Sequence, residues 1–165
     1  MSTTLSAMVL LSALGTGLMA GVYFAFSGFV MKALKTVPNT AGISSMQAIN
    51  DVILGSAFMP LFFITTGLGI TLALIGGLNW GRSYGPALLV AGVIYTFGMF
   101  VVTAAFNVPL NDALKAVPVQ ENASIAQDSV SLWQHYLKRW TLFNHIRTAA
   151  STLASSLYAY ALLQS

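Results

Sequence analysis

Residues 83–111 read SYGPALLVAGVIYTFGMFVVTAAFNVPLN, 29 residues without a charge. A bilayer core of about 30 Å is crossed by roughly 20 apolar residues of helix, so this stretch is long enough to span. Working outward, residues 1–31, 52–81 and 148–165 are also uncharged. The runs predict helices near 5–31, 53–78, 86–108 and 140–163. The fourth reaches spanning length only if it starts near Trp140 and takes Asn144, His145 and Arg147 into its first turns. The expected fold is all-α: a polytopic membrane four-helix bundle, one four-span domain over residues 1–165. Composition agrees. Of 165 residues 56% are hydrophobic, 7% are charged and mean hydropathy is +0.77, whereas a soluble domain is about 25% charged. That excludes a water-soluble globular domain, a disordered tail and a nucleic-acid binder, and it makes the lipid bilayer the first partner. The net charge of +3 rests on seven Lys and Arg and signals no basic binding surface. Without cysteine there is no disulfide and no thiolate metal site. The N-terminus has no basic residue ahead of its apolar run, and that run is too long for a cleaved signal peptide.

Four spans put both termini and the 79–85 turn on one side, which holds only Arg82. The other side holds Lys32, Lys35, Lys115, Lys138, Arg139 and Arg147. Cytoplasmic loops collect Lys and Arg, so both termini are expected outside, with Trp80 and Tyr84 at the outer interface. Trp133, Tyr136 and Trp140 are expected at the inner one. Ala13, Gly17, Gly21 and Ala25, and likewise Ala150 and Ala154, recur every four residues. Small residues at this spacing let helices approach closely in lipid, within the chain or against a second copy in a homo-oligomer. The segment from Ala25-Phe26 to Val37-Pro38 matches that from Ala105-Phe106 to Val117-Pro118 at seven of 14 positions, at a constant offset of 80. This predicts two parallel repeated hairpins, about 5–78 and 86–163, with a pseudo-axis along the membrane normal. After Pro118 the second half carries a longer connection. In it Val130, Trp133, Leu137 and Trp140 mark a short amphipathic helix on the inner face, which either lies at the interface or caps a pocket.

The polar residues gather at the inner helix ends. Trp140, Asn144, Arg147 and Ser151 form one helical stripe, and Thr141, His145, Thr148 and Thr152 the adjacent one. Thr103, Asn107 and Asn111 follow every four residues if Pro109 does not turn the chain. Pro109 removes the hydrogen bond to the Ala105 carbonyl. Unpartnered polar groups in lipid cost several kcal/mol each, so these side chains are expected to meet one another. An ionisable group at membrane depth is a functional candidate. His145 is the candidate general base, or else an imidazole satisfied by Asn or Thr. Arg147 is a candidate for an anionic substrate or an oxyanion, or a snorkelling cation. Asn50, Asn107, Asn111 and Asn144 can donate to a carbonyl oxygen or enolate, or bond between helices. Asp112 is either a counter-ion for Arg147 or exposed. His135 reads as exposed. In a continuous helix it lies about 15 Å from His145, so the two cannot share a metal, and no protein-built metal site is expected. Asn122-Ala-Ser124 fits a glycosylation sequon, but it sits in the loop expected inside.

Three blocks carry a resemblance: Gly21-Val-Tyr-Phe-Ala-Phe-Ser27 with Met31; Met46-Gln47-Ala-Ile-Asn50; and Asn107-Val-Pro-Leu-Asn111 followed by Trp133, Tyr136, Trp140-Thr141 and Asn144-His145-x-Arg147-Thr148. Together they resemble the anthrone oxygenase-like family of small four-helix membrane proteins. The resemblance implies a bacterial inner-membrane protein that oxidises a lipophilic aromatic ketone, phenol or quinol with O2 as co-substrate, without metal or flavin. A single histidine leaves haem ligation open. It also implies catalytic roles for Asn111, Asn144 and Arg147, with His145 as base in the bacterial form of the motif. Tyr23, Phe26, Asn50, Asn107 and Trp140 would bind the substrate. Two other readings remain: a protein that binds or transports a lipophilic ligand without chemistry, and a structural membrane subunit.

Overall fold

The computed structural model describes residues 1–119 and 126–164, and among them it contains helices and no strand. The Asn122 sequon lies outside the described residues. Helix α1 (Thr3–Ala25) starts at Ser2, whose Oγ accepts from the Leu5 N–H at 3.3 Å, satisfying one orphan donor of the first turn. A π-helical turn, Phe26–Val30, leads without a break into α2 (Met31–Thr36). After Val37-Pro38 the chain forms α3 (Asn39–Leu54), then α4 (Phe58–Leu78) with Pro60 in its first turn, where a missing N–H costs nothing. Helix α5 (Gly85–Tyr95) passes through two π-helical turns, Thr96–Val101 and Thr103–Asn107, into α6 (Val108–Lys115). Pro109 therefore does not turn the chain. The Val108 N–H reaches back five residues to the Thr103 carbonyl, and the helix runs on around the proline. The last element is α7 (Gln127–Leu163), 37 residues long.

The continuity of α7 corrects one expectation. The stretch 130–140 is not a separate interfacial helix but the first part of the last long one. No Gly or Pro occurs between Gln127 and Leu163, so nothing in the sequence breaks it. Trp133 and Tyr136 do not face outward either. Both are fully buried, in a cluster with Met31, Ile43, Met46, Leu114 and Trp140. They seal one end of the molecule against α3.

Helices α1, α4, α5 and α7 pack side by side. Their contacts show antiparallel neighbours: Ser155 Oγ donates to the Ala13 carbonyl at 2.8 Å, while Asn144 reaches Tyr23 and Ser27. Only half of the small-residue stripe on α1 is used this way. Ala13 and Gly17 face Ser155, whereas Gly21 has nothing near it. On the turn after α5, Gly98 lets α7 come so close that a Cβ there would stand 2.5 Å from the Ala150 Cβ. At one end Ser83 Oγ donates to the Gln164 carbonyl at 2.7 Å, beside the start of α1. At the other, Gln47 Nε2 donates to the carbonyls of Leu114 and Val117, both at 2.9 Å, and Lys115 pairs with Asp51 at 2.8 Å.

The exterior is inside out by the standards of a soluble protein. Leu10, Leu11, Leu14, Leu18, Phe24, Ile64 and Leu74 are exposed, while Ser12, Thr16, Thr65, Thr66 and Ser151 are buried. Water would reverse that arrangement and a bilayer stabilises it. Three stretches are long and apolar enough to cross a membrane: Thr3–Thr36, Phe58–Leu78 and Gly85–Lys115. The chain is an integral membrane protein. Helix α7 is long enough, but its serines, threonines and Arg147 leave even its second half less apolar than those three stretches.

Candidate functional site

The apolar interior falls into two clusters. One, built on Met19, Tyr23, Phe62, Leu88, Tyr95 and Tyr158, fills the middle of the molecule. The other is the α3–α7 cluster described above. Between them lies a cavity of about 310 Å³, at the small end of the range for ligand sites. Its apolar wall comes from Val22 and Phe26 at the end of α1, Met46, Ile49 and Ile53 on α3, Phe58 and Phe62 on α4, and Phe100 and Val108 around the π-helical turns. Its polar wall is Tyr23, Asn50, Thr103, Asn111 and Arg147, with Trp140 between.

Arg147 dominates that wall. Only 5% of it is exposed, so it does not snorkel. Its guanidinium carbon lies 4.4 Å from the centre of the Tyr23 ring and 5.0 Å from that of Trp140, a cation held between two aromatic faces. Nη2 donates to Asn144 Oδ1. Nη1 lies 3.5 Å from Thr103 Oγ1, too long for a strong bond, and Nε has no partner. No carboxylate pairs with it among the described residues; Asp112 is exposed instead. A buried charge without a counter-charge is costly, and this one borders an open volume.

The neighbouring amides are fixed. Asn111 Oδ1 accepts from Tyr136 Oη at 2.8 Å and from Trp140 Nε1 at 2.9 Å. Two donors on one oxygen set the flip of the carboxamide and leave its Nδ2 without a protein acceptor. Asn50 Nδ2 and Tyr23 Oη are buried without a well-formed hydrogen bond, Tyr23 standing near Thr103 and Arg147 and Asn50 near Tyr136. Three uncommitted donors and one uncompensated cation thus border a volume otherwise lined by hydrocarbon. Such a surface suits a flat apolar molecule carrying one anionic or carbonyl oxygen.

Tyr23, Phe26, Asn50, Asn111, Trp140 and Arg147 are brought together here. Asn144 and Asn107 are buried but do not line the cavity. Asn144 Nδ2 donates to the Tyr23 carbonyl at 2.6 Å and to Ser27 Oγ, so this amide ties α7 to α1 and aims Arg147. Asn107 Nδ2 lies 3.4 Å from the Trp140 carbonyl. His145 departs from expectation: it is exposed and outside the cavity. Adjacent residues of a helix point about 100° apart, so once Asn144 and Arg147 face inward, the stripe through Thr141, His145 and Thr152 faces out. Among the described residues no three of His, Cys, Asp and Glu gather to hold a metal. Sequence reasoning placed Thr103 in the polar cluster without giving it a role, and it gave none to Ser27 or Tyr136. Tyr136 was findable, since it lies one turn before Trp140 on the same face.

These features define an integral membrane protein with a largely apolar internal site and one polar wall. The chain belongs to the anthrone oxygenase family, whose family model matches residues 50–157. The match runs from Asn50 through α4, α5, α6 and most of α7, and it leaves Tyr23 and Phe26 at the end of α1 outside. No curated protein and no solved structure matches the chain.

Proposed function

We propose that the protein binds the enolate or phenolate form of a lipophilic aromatic ketone, phenol or quinol in this cavity and promotes its oxidation by O2. The observation that carries the reading is Arg147, a buried cation facing an apolar cavity without a carboxylate partner among the described residues. Ketones with a methylene between aromatic rings are acidic there, and loss of the proton gives an electron-rich enolate. Arg147 favours the anion and so lowers the substrate's pKa. Asn50, Asn111 and Tyr23 supply donors for its oxygen before charge develops. Among the described residues no imidazole or carboxylate lines the cavity, so the proton passes to water. In balance, a quinol and one O2 become a quinone and one hydrogen peroxide; for the ketone, one methylene and one O2 become one carbonyl and one water. Two C–H bonds are lost, one oxygen atom enters the product and the other leaves as water, so the methylene carbon is the reductant and no outside one is required.

In this reading O2 is the co-substrate and no bound metal or flavin takes part. The visible spectrum of the purified protein should be featureless, and a Soret band would replace the scheme with haem chemistry. Protein in detergent should consume O2 with an anthrone above the blank. Arg147→Met should abolish the excess and His145→Ala should leave it intact. A wild-type rate equal to the blank sinks the proposal for that substrate class.

The lack of an ordinary base in the cavity favours a second reading, ligand binding without turnover. It predicts thermal stabilisation by an anthrone-like phenol with no O2 uptake. In either case we place α7 as a fourth span and the lysine-bearing end in the cytoplasm of a bacterial cell, with both termini outside the inner membrane. The separation of Lys32, Lys35, Lys115 and Lys138 from the Arg82 end supports this. The matched segments at an offset of 80 support descent from a duplicated hairpin.

A further inference from the structure

A second hollow, of about 410 Å³, lies outside the site just described, where α2 meets the first half of α7. Its rim carries Lys32 and Lys35 from α2 and Lys138 from α7, with Gln134 one turn before Lys138. Its floor is Met31 and Leu137, both buried. No acidic side chain lines it, and none of the three lysines forms an ion pair among the described residues. Lys115, at the same end of the molecule, does have a carboxylate partner in Asp51. Three ammonium groups on the walls of one hollow repel each other unless a negative group sits between them. The hollow also opens where the apolar stretch through α1 gives way to the lysines of α2, and a bilayer's phosphates lie where apolar spans meet their first basic residues.

We infer that this hollow binds the phosphodiester headgroup of an anionic membrane lipid. The phosphate sits among Lys32, Lys35 and Lys138, and the first carbons of an acyl chain rest on Met31 and Leu137. A lipid matches both parts, its phosphodiester the basic rim and its chain the apolar floor. A free phosphate would use the rim alone.

The test uses the full chain, delipidated in a neutral maltoside detergent and titrated with phosphatidylglycerol, phosphatidylcholine or inorganic phosphate, with bound species counted by native mass spectrometry. Phosphatidylglycerol should bind preferentially. Replacing Lys32, Lys35 and Lys138 together with Gln should weaken it roughly 100-fold, about fivefold per lysine. Arg139→Gln, on the same turn of α7 but outside the hollow, should leave binding unchanged. Should the triple variant fail to fold, Lys138→Gln alone should show the fivefold loss. Equal binding of the two lipids, or a preference that survives the lysine substitutions, overturns the inference. Inorganic phosphate that displaces phosphatidylglycerol at equal concentration overturns it too, because the ligand would then be a soluble anion.

Discussion

Replacing Asn144 with Ala tests the geometry on which the site depends. Asn144 is fully buried, and its carboxamide makes three contacts: two donated to the Tyr23 carbonyl and Ser27 Oγ, one accepted from Arg147. Hydrogen bonds between membrane helices average about 0.6 kcal/mol and reach about 1.7 kcal/mol, so losing all three should cost about 2–5 kcal/mol. The upper part of that range is the better expectation, because one partner is a buried cation left nearly bare. His145→Ala, one residue on, removes a side chain with no bond in the structure and should cost within about 0.5 kcal/mol. The two variants share a helix, a local sequence and a depth, so their difference isolates which face of α7 points inward. Thermal unfolding of both in the same detergent reads it out directly. Asn144→Ala should melt several degrees below wild type, and His145→Ala beside it. Equal shifts, or a larger one for His145→Ala, would refute the inward register of α7 and with it the placement of Arg147 at the cavity.

Other expectations come from the same wall. Asn144→Asp gives Arg147 the carboxylate it lacks; binding of an anionic phenolate analogue, measured by titration, should weaken more than about tenfold, while a neutral analogue binds as before. Arg147→Met should cut turnover of an anthrone by about 100-fold or more, the usual loss for one oxyanion donor, in an O2-electrode assay. Trp140→Phe keeps a ring beside Phe26, 5.7 Å away in the native protein, but removes one of the two donors on Asn111. It should lower stability by about 1 kcal/mol, seen as a modest drop in melting temperature. Gly98→Leu drives side-chain atoms into Ala150 and should destabilise the packing of α7 there by about 1–3 kcal/mol, read as a drop in melting temperature.

The two ends of the molecule differ for a physical reason. The end near Ser83 and Gln164 carries one cation, Arg82. The opposite end gathers the lysines, α3 and the aromatic cluster of Trp133, Tyr136 and Trp140. The cavity sits just inside that second end, where the helices are loosened by π-helical turns at Phe26–Val30 and Thr103–Asn107. A π-helical turn inserts one residue and rotates the rest of the helix beyond it. Between α5 and α6 this swings Asn111 to face Tyr136 and Trp140, while Asn107 four residues earlier turns away from the cavity.

Membrane class and the gathering of polar residues at one end of the helices were legible from residue order, because the cost of polar groups in lipid acts on every turn of every span. The stripe of Trp140, Asn144, Arg147 and Ser151 was legible too, since helical spacing alone puts those four on one face, and all four are buried. Which of two adjacent stripes faced inward was not. His145 and Asn144 are both polar, and only packing against Tyr23 and Ser27 decides that the amide enters and the imidazole stays out. Periodicity likewise could not show that α7 runs unbroken from Gln127, because its first half is polar enough to pass for a surface helix. Burial of Trp133 and Tyr136 against α3, from a distant part of the chain, settles that. The sequence alone determined what must avoid water; the tertiary structure decided which donors share a cavity, because that depends on helix rotation and contacts between distant segments.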